Sequence, residues 1–262
     1  MNNSLKNINA LLIKFFCFLF RGAKERPTVL MYHSVMGGDN SLSLTPEKFE
    51  SQIKYLKENK FRFLRLDDLK DRAVFEGKSV LITFDDGYED NFSIVIPILQ
   101  KYNVPAIFFI ATGLVGSEVK GLKMMNWEEI KKISVDNLFE IGGHTITHRK
   151  LHKLNLEEVE KEIKESKRIL EEKLGKSIRV FAYPYGRYND LVLGVVKKSG
   201  FEWAFSTRPG CLQRDFNKWQ IRRFGIDNFR AQFFKDIFKP GYELYWRLRG
   251  TTSQYYENIN FR

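Results

Sequence analysis

Of the four histidines in the chain, two stand four residues apart in His144-Thr145-Ile146-Thr147-His148. On a helical turn that spacing directs both imidazoles to one side, where they can share a metal ion. A second signature, Asp85-Asp86-Gly87, closes an apolar run over 79–84. One of these carboxylates can complete a site of two histidines and one carboxylate that leaves coordination positions open for water. The other can then act as a base toward that water. Each motif is weak alone, because adjacent aspartates before glycine are ordinary turn residues and a histidine pair arises on surface helices by chance. The two cysteines, Cys17 and Cys211, exclude a disulfide framework and a thiolate zinc site.

The elements that would bring these motifs together are legible. Short apolar runs predict strands near 28–33, 61–64, 79–84, 106–111, 138–141, 179–182, 202–206 and 220–224. Helices are predicted between them, over 45–58, 67–74, 91–102, 127–134, 155–174 and 191–198. The longest starts at Asn155, with Glu158 three residues on, carries Leu156, Val159, Ile163, Leu170 and Leu174 as an apolar stripe, and ends at Gly175. Regular alternation implies a parallel sheet covered by helices, and continuously apolar strands imply burial on both faces. The expectation is an α/β fold, a distorted (β/α) barrel of about seven parallel strands. No glycine-rich phosphate loop follows the first strand, which disfavours an open doubly wound sheet. In such barrels chemistry sits where strands end. His33, Asp85-Asp86, His144 and Tyr183-Pro184-Tyr185-Gly186 all follow strand ends.

With 262 residues and 43% apolar composition, the chain has enough material for a packed core. Its net charge of +11 is concentrated at the two ends. No basic stripe or nucleic-acid motif marks the middle, so a nucleic-acid partner is not expected.

Three segments, in order, resemble motifs of the polysaccharide deacetylases (NodB homology domains, carbohydrate esterase family 4): Thr83-Phe84-Asp85-Asp86-Gly87, His144-Thr145-Ile146-Thr147-His148 and Tyr183-Pro184-Tyr185-Gly186. Val29-Leu30-Met31-Tyr32-His33-Ser34-Val35, Pro105-Ala106-Ile107-Phe108-Phe109 and Glu140-Ile141-Gly142-Gly143 extend the likeness over roughly 28–227. The resemblance implies a distorted β/α barrel that hydrolyses acetyl groups on glycans. It implies Asp85 as catalytic base and Asp86, His144 and His148 as ligands of one divalent transition metal, zinc first. The backbone N–H of Tyr185 becomes an oxyanion donor.

Two departures matter. Many members carry Arg two residues before the motif's proline, where this chain has Ala182; Arg223 matches a later family arginine and can supply that charge from another strand. Many also carry a late Leu-x-His as general acid, yet no histidine follows His152 here. His33 is then a candidate acid, a substrate contact or a core histidine. The Tyr-His-Ser start and the missing late histidine resemble the subgroup that includes poly-N-acetylglucosamine deacetylases. His152 extends the ligand face or is solvated, and Tyr183, Trp127 and Trp203 stack on sugars or fill the core.

Residues 1–27 carry five cations against Glu25 alone. As a helix, 5–21 places Lys6, Asn7, Lys14 and Arg21 within about 100° and Leu5, Ile8, Leu12, Phe15, Phe16, Leu19 and Phe20 opposite. This pattern suits a membrane-interface helix, with a signal segment or a helix packed on the domain as competitors. Residues 228–262 interleave ten aromatics with six cations, which suits packing on the barrel or a second membrane contact. Three parts are therefore expected: a basic segment (1–27), the deacetylase barrel (28–227) and an aromatic extension (228–262). The expected activity is metal-dependent removal of N-acetyl groups from an amino-sugar glycan of the cell envelope, at a membrane surface, with the cytoplasmic face favoured. Alternatives are deacylation of a lipid-linked sugar, O-acetyl ester hydrolysis, or glycan binding with weak catalysis.

Overall fold

In the computed structural model, residues 3–20, 26–37, 43–75, 77–228 and 230–248 are described. After the N-terminal helix α1 (Asn3–Leu19) comes β1 (Thr28–Tyr32), then α2 (Pro46–Glu58) and β2 (Arg62–Phe63), then β3 (Ser79–Phe84). A wide turn at Asn91–Val95 leads into α3 (Ile96–Lys101) and β4 (Ala106–Ile110). A small hairpin, β5 (Glu118–Val119) with β6 (Leu122–Lys123), precedes α4 (Trp127–Ser134) and β7 (Phe139–Gly143). Next come α5 (Leu156–Glu160), α6 (Ser166–Leu174), β8 (Val180–Ala182), α7 (Asp190–Lys198) and β9 (Trp203–Phe205), and last β10 (Phe224–Gly225) and α8 (Pro240–Leu248).

The main sheet runs β10-β1-β3-β4-β7-β8-β9, with β2 beside β3, and all its pairings are parallel. It is the expected distorted barrel. Alternate residues along each strand point to opposite sides. Val29, Leu81, Ile107, Phe109 and Phe205 share one apolar cluster. Leu30, Tyr32, Ile82, Phe84 and Phe108 join a second, which includes the covering helices. The curl is completed by an irregular stretch rather than by the strand expected near 220–224. Ile221 bridges to Phe205 of β9, whereas Phe224 and Gly225 pair with Leu30 and Met31 of β1. Arg223 thus sits in the seam of the barrel.

Local sequence explains where helices start and why two expectations shift. Asn126 with Glu129, and Asn155 with Glu158, form reciprocal capping boxes. The helix expected over 155–174 contains one wide turn, Lys161–Glu165, between α5 and α6. Val159, Ile163 and Leu170 are buried as expected, but Leu156 is exposed because it stands in the first turn, beyond the packed face. The helix expected over 67–74 is instead two 3₁₀ turns. Asp68 and Asp71 accept from the backbone N–H groups of Arg65 and Ala73 and so compete with helical bonding.

Residues 230–248 pack on the barrel. Phe238 meets Phe61, Phe234 meets Tyr55 and Tyr242 meets Phe224. Helix α1 lies on α8 so closely that a Cβ at Gly241 would overlap the Phe16 carbonyl. Among the described residues, no helix is long and apolar enough to cross a membrane. Arg21 and residues 249–262 lie outside the described residues.

Candidate active site

The two aspartates that follow β3 are neighbours in sequence but not in environment. Asp85 still belongs to the ladder, its N–H donating to the Tyr32 carbonyl at 3.0 Å. Asp86 has a φ of 76°, so the chain swings there and the two carboxylates meet different partners. Both are buried.

Asp85 is held in a fork. Arg223 Nη1 and Nη2 donate to its Oδ1 and Oδ2, each at 2.7 Å. The guanidinium is itself fixed, with Nε donating to the Ser206 carbonyl at 3.0 Å and Nη1 also to Thr83 Oγ1 at 3.1 Å. Phe109 and Phe205 flank its plane. Burial pushes the Asp85 carboxyl up, but the charges of Arg223 and His144 outweigh burial and hold it below the usual carboxylate range. A planar fork satisfies two of about four lone-pair sites on a carboxylate, which leaves capacity to accept a proton.

Asp86 instead faces His144 and His148. Their Nε2 atoms lie 3.3 and 3.2 Å from the same oxygen, Oδ1. Neither Asp86 oxygen has a hydrogen-bond donor of ordinary geometry, although the group is buried. His144 Nδ1 lies 2.8 Å from the Ala182 carbonyl. A proton held there leaves the Nε2 lone pair pointing at Asp86. Burial lowers the His148 pKa to about 4, so that ring is neutral. For His144, burial also lowers, but the Asp86 hydrogen bond and the Asp85 charge raise it overall. One ligand atom from each of the three residues falls within 4.8 Å of the others, and among the described residues this is the one such cluster. A buried carboxylate facing two imidazole Nε2 atoms, with no hydrogen bond of ordinary geometry, fits a divalent first-row metal, with zinc well suited.

The histidines do not converge through a helical turn, as their spacing suggested. Residues 144–148 form a loop with positive φ at Thr145 (68°) and His148 (57°). What holds that loop is Glu162, which sequence reasoning missed. Its buried carboxylate accepts from the backbone N–H of Ile146 and of Thr147, each at 2.9 Å, and from the Thr147 hydroxyl. The signal was present: Glu162 is a charge inside the apolar stripe that runs from Val159 to Leu170, and the wide turn at Lys161–Glu165 lies where it enters the buried face. Thr83 was missed as well, as an ordinary strand residue.

The remaining candidates divide. Tyr185 is on the rim, with φ of 60° and its ring 4.7 Å from that of His148. The adjoining Gly186 cannot carry a side chain, since a Cβ would overlap Thr207. His33 is nearly buried at the end of β1, near enough for its charge to act on both aspartates. His152 is not in the metal cluster. Tyr183 is buried and donates to the Trp219 carbonyl, and Trp203 is buried against Phe216, so both belong to the packing. Trp127 packs partly buried against the core.

Comparison with known proteins places this geometry. Residues 72–204 match the polysaccharide deacetylase family. A poly-β-1,6-N-acetyl-D-glucosamine N-deacetylase of Staphylococcus aureus is 35% identical over 198 residues, covering 71% of this chain and 68% of the relative. The solved structure of IcaB from Ammonifex degensii superposes with a TM-score of 0.75 at 27% identity, covering 81% of this chain and 97% of that one. A polysaccharide deacetylase from Bacillus cereus gives 0.71 at 28% identity, covering 82% and 69%.

Proposed function

The chain belongs to the polysaccharide deacetylase family, and from that premise we propose that it removes N-acetyl groups from an N-acetylglucosamine polymer of the cell envelope, using a divalent metal held by Asp86, His144 and His148. The observation that carries this reading is the contrast between adjacent buried carboxylates, one locked to an arginine and one facing two imidazole nitrogens. The relatives' activity on poly-N-acetylglucosamine points to the polymer.

A metal bound there supplies a polarised acetyl carbonyl and a water of lowered pKa. The chain's own groups do the rest. Asp85 accepts the proton of the attacking water, kept ionised and aimed by Arg223. The N–H of Tyr185 donates to the oxygen that gains charge as the carbonyl is attacked. His33, which follows β1 and acts electrostatically on both aspartates, protonates the departing amine.

Acetate release tests the assignment. Zinc-loaded protein should release acetate from β-1,6-linked N-acetylglucosamine oligomers and lose that activity with a chelator. Hydrolysis confined to O-acetyl esters would transfer the reaction to ester cleavage. Binding of the oligomers without release from any substrate would make the protein a glycan binder.

A further inference from the structure

Helix α1 is apolar around most of its circumference, yet only one face is covered. Asn9, Ile13 and Cys17 are buried on the side that meets α8, and Phe16 packs on Tyr245. The opposite face shows Ile8, Leu11, Leu12, Phe15, Phe18 and Leu19 to solvent, with Leu11 71% and Phe18 68% exposed. Six large apolar side chains in one strip exceed what a soluble surface usually leaves uncovered. Their angular positions, at 100° per residue, form one continuous band centred opposite Ile13, and Lys14 lies on its border, exposed.

We propose that this outer face of α1 is a docking surface for an anionic lipid bilayer, in which the helix lies parallel to the membrane plane at headgroup depth. Three observations select lipid over a protein partner. The first acidic residue of the chain is Glu25, after Lys6, Lys14, Arg21 and Lys24, so the segment is cationic without internal compensation. An apolar band with the exposed Lys14 on its border matches a headgroup boundary, where apolar burial and charge attraction act together. The close seat of α1 on Gly241 fixes the helix against the enzyme. The band is therefore presented by a rigid body and does not depend on a free tail. The 17-residue length of α1 suits lying on a bilayer and is short for crossing one. Helix α8, on which α1 rests, ends in exposed Arg247 and Leu248 and extends the same chemistry. The inference is independent of the rim chemistry.

Two substituted forms of the full chain test it. Leu11→Gln, Phe15→Gln and Phe18→Gln together interrupt the apolar band at three of its six side chains and leave the residues buried against α8 in place; Lys14→Glu reverses the border charge. Co-sedimentation is measured with phosphatidylglycerol vesicles and with phosphatidylcholine vesicles, alongside thermal midpoint and lipid-free molecular mass. The wild type should bind phosphatidylglycerol more tightly, and high salt should release it only in part because burial is not screened. The triple substitution should weaken binding by at least about tenfold with its thermal midpoint kept. Lys14→Glu should weaken binding to phosphatidylglycerol alone. Unchanged phosphatidylglycerol binding by either form overturns the proposal. So does a lipid-free wild-type dimer that the triple substitution converts to monomer, which would assign the band to a second copy of the chain.

Discussion

Asp85 and Asp86 share a strand end, a charge and nearly complete burial, yet the protein treats them oppositely. The Asp85 side is closed. Every contact is a charge-assisted or well-aligned hydrogen bond, and the arginine that satisfies it is satisfied in turn by Thr83 and Ser206. The Asp86 side is open. Its oxygens have no hydrogen bond of ordinary geometry; two imidazole Nε2 atoms and the Tyr88 hydroxyl face them in place of a fixed cation. Burying an ionised carboxylate is costly in either case. The closed side offsets that cost with an internal cation, and on the reading proposed above the open side takes one from outside. Partner chemistry, more than residue type, is thus the ground for proposing one aspartate for proton transfer and the other for metal binding.

Breaking the closed side should give the largest effect. Arg223→Leu leaves Asp85 buried and uncompensated, which should cost about 3–5 kcal/mol of stability by chemical denaturation. Zinc stoichiometry should persist wherever the protein remains folded. Arg223→Lys should recover only part of the loss, because an ammonium cannot reproduce a two-point fork. A small stability change for Arg223→Leu would mean that the fork does not hold the base.

Loosening the open side should cost less. Glu162→Ala removes the acceptor that clamps the loop between the two histidines, and zinc affinity by chelator competition should fall about 10–100-fold, as for other residues that orient ligands. Glu162→Gln should restore most of it, since an amide oxygen can still accept from the backbone. Equal affinities for wild type and Glu162→Ala would show that the loop is held without the clamp. The smallest effect is expected at Thr83→Val. It removes one of several arginine contacts and should cost about 1 kcal/mol, with zinc binding unaltered.

Much of this contrast could be read from sequence, and the reason is positional. Apolar runs fix strand ends, and barrel chemistry collects there, so Asp85, Asp86, His144, Tyr185 and His33 were legible as a rim. The route by which His148 joins them was not. Spacing suggested a helical turn, whereas two left-handed residues and the Glu162 clamp make a loop. A clamp between residues 146 and 162 is tertiary, and periodicity reports only which residues share a face of their own helix. Arg223 was found by resemblance. Its two-point grip on Asp85 depends on the irregular seam that joins β9 to β1, which no local pattern announces. At the N-terminus, the helical wheel placed Phe16 and Leu12 in one sector, but contact with α8 divides them into a packed and an exposed face.

The central claim is the division of labour between the two aspartates. Its most direct test measures bound zinc and acetate release together in Asp85→Asn and Asp86→Asn. Asp85→Asn should keep about one zinc per chain while turnover falls roughly 10²–10⁴-fold, the usual worth of a positioned base. Asp86→Asn should lose zinc at concentrations that saturate the wild type. If Asp85→Asn sheds the metal and Asp86→Asn retains it, the two roles are exchanged and the account is contradicted.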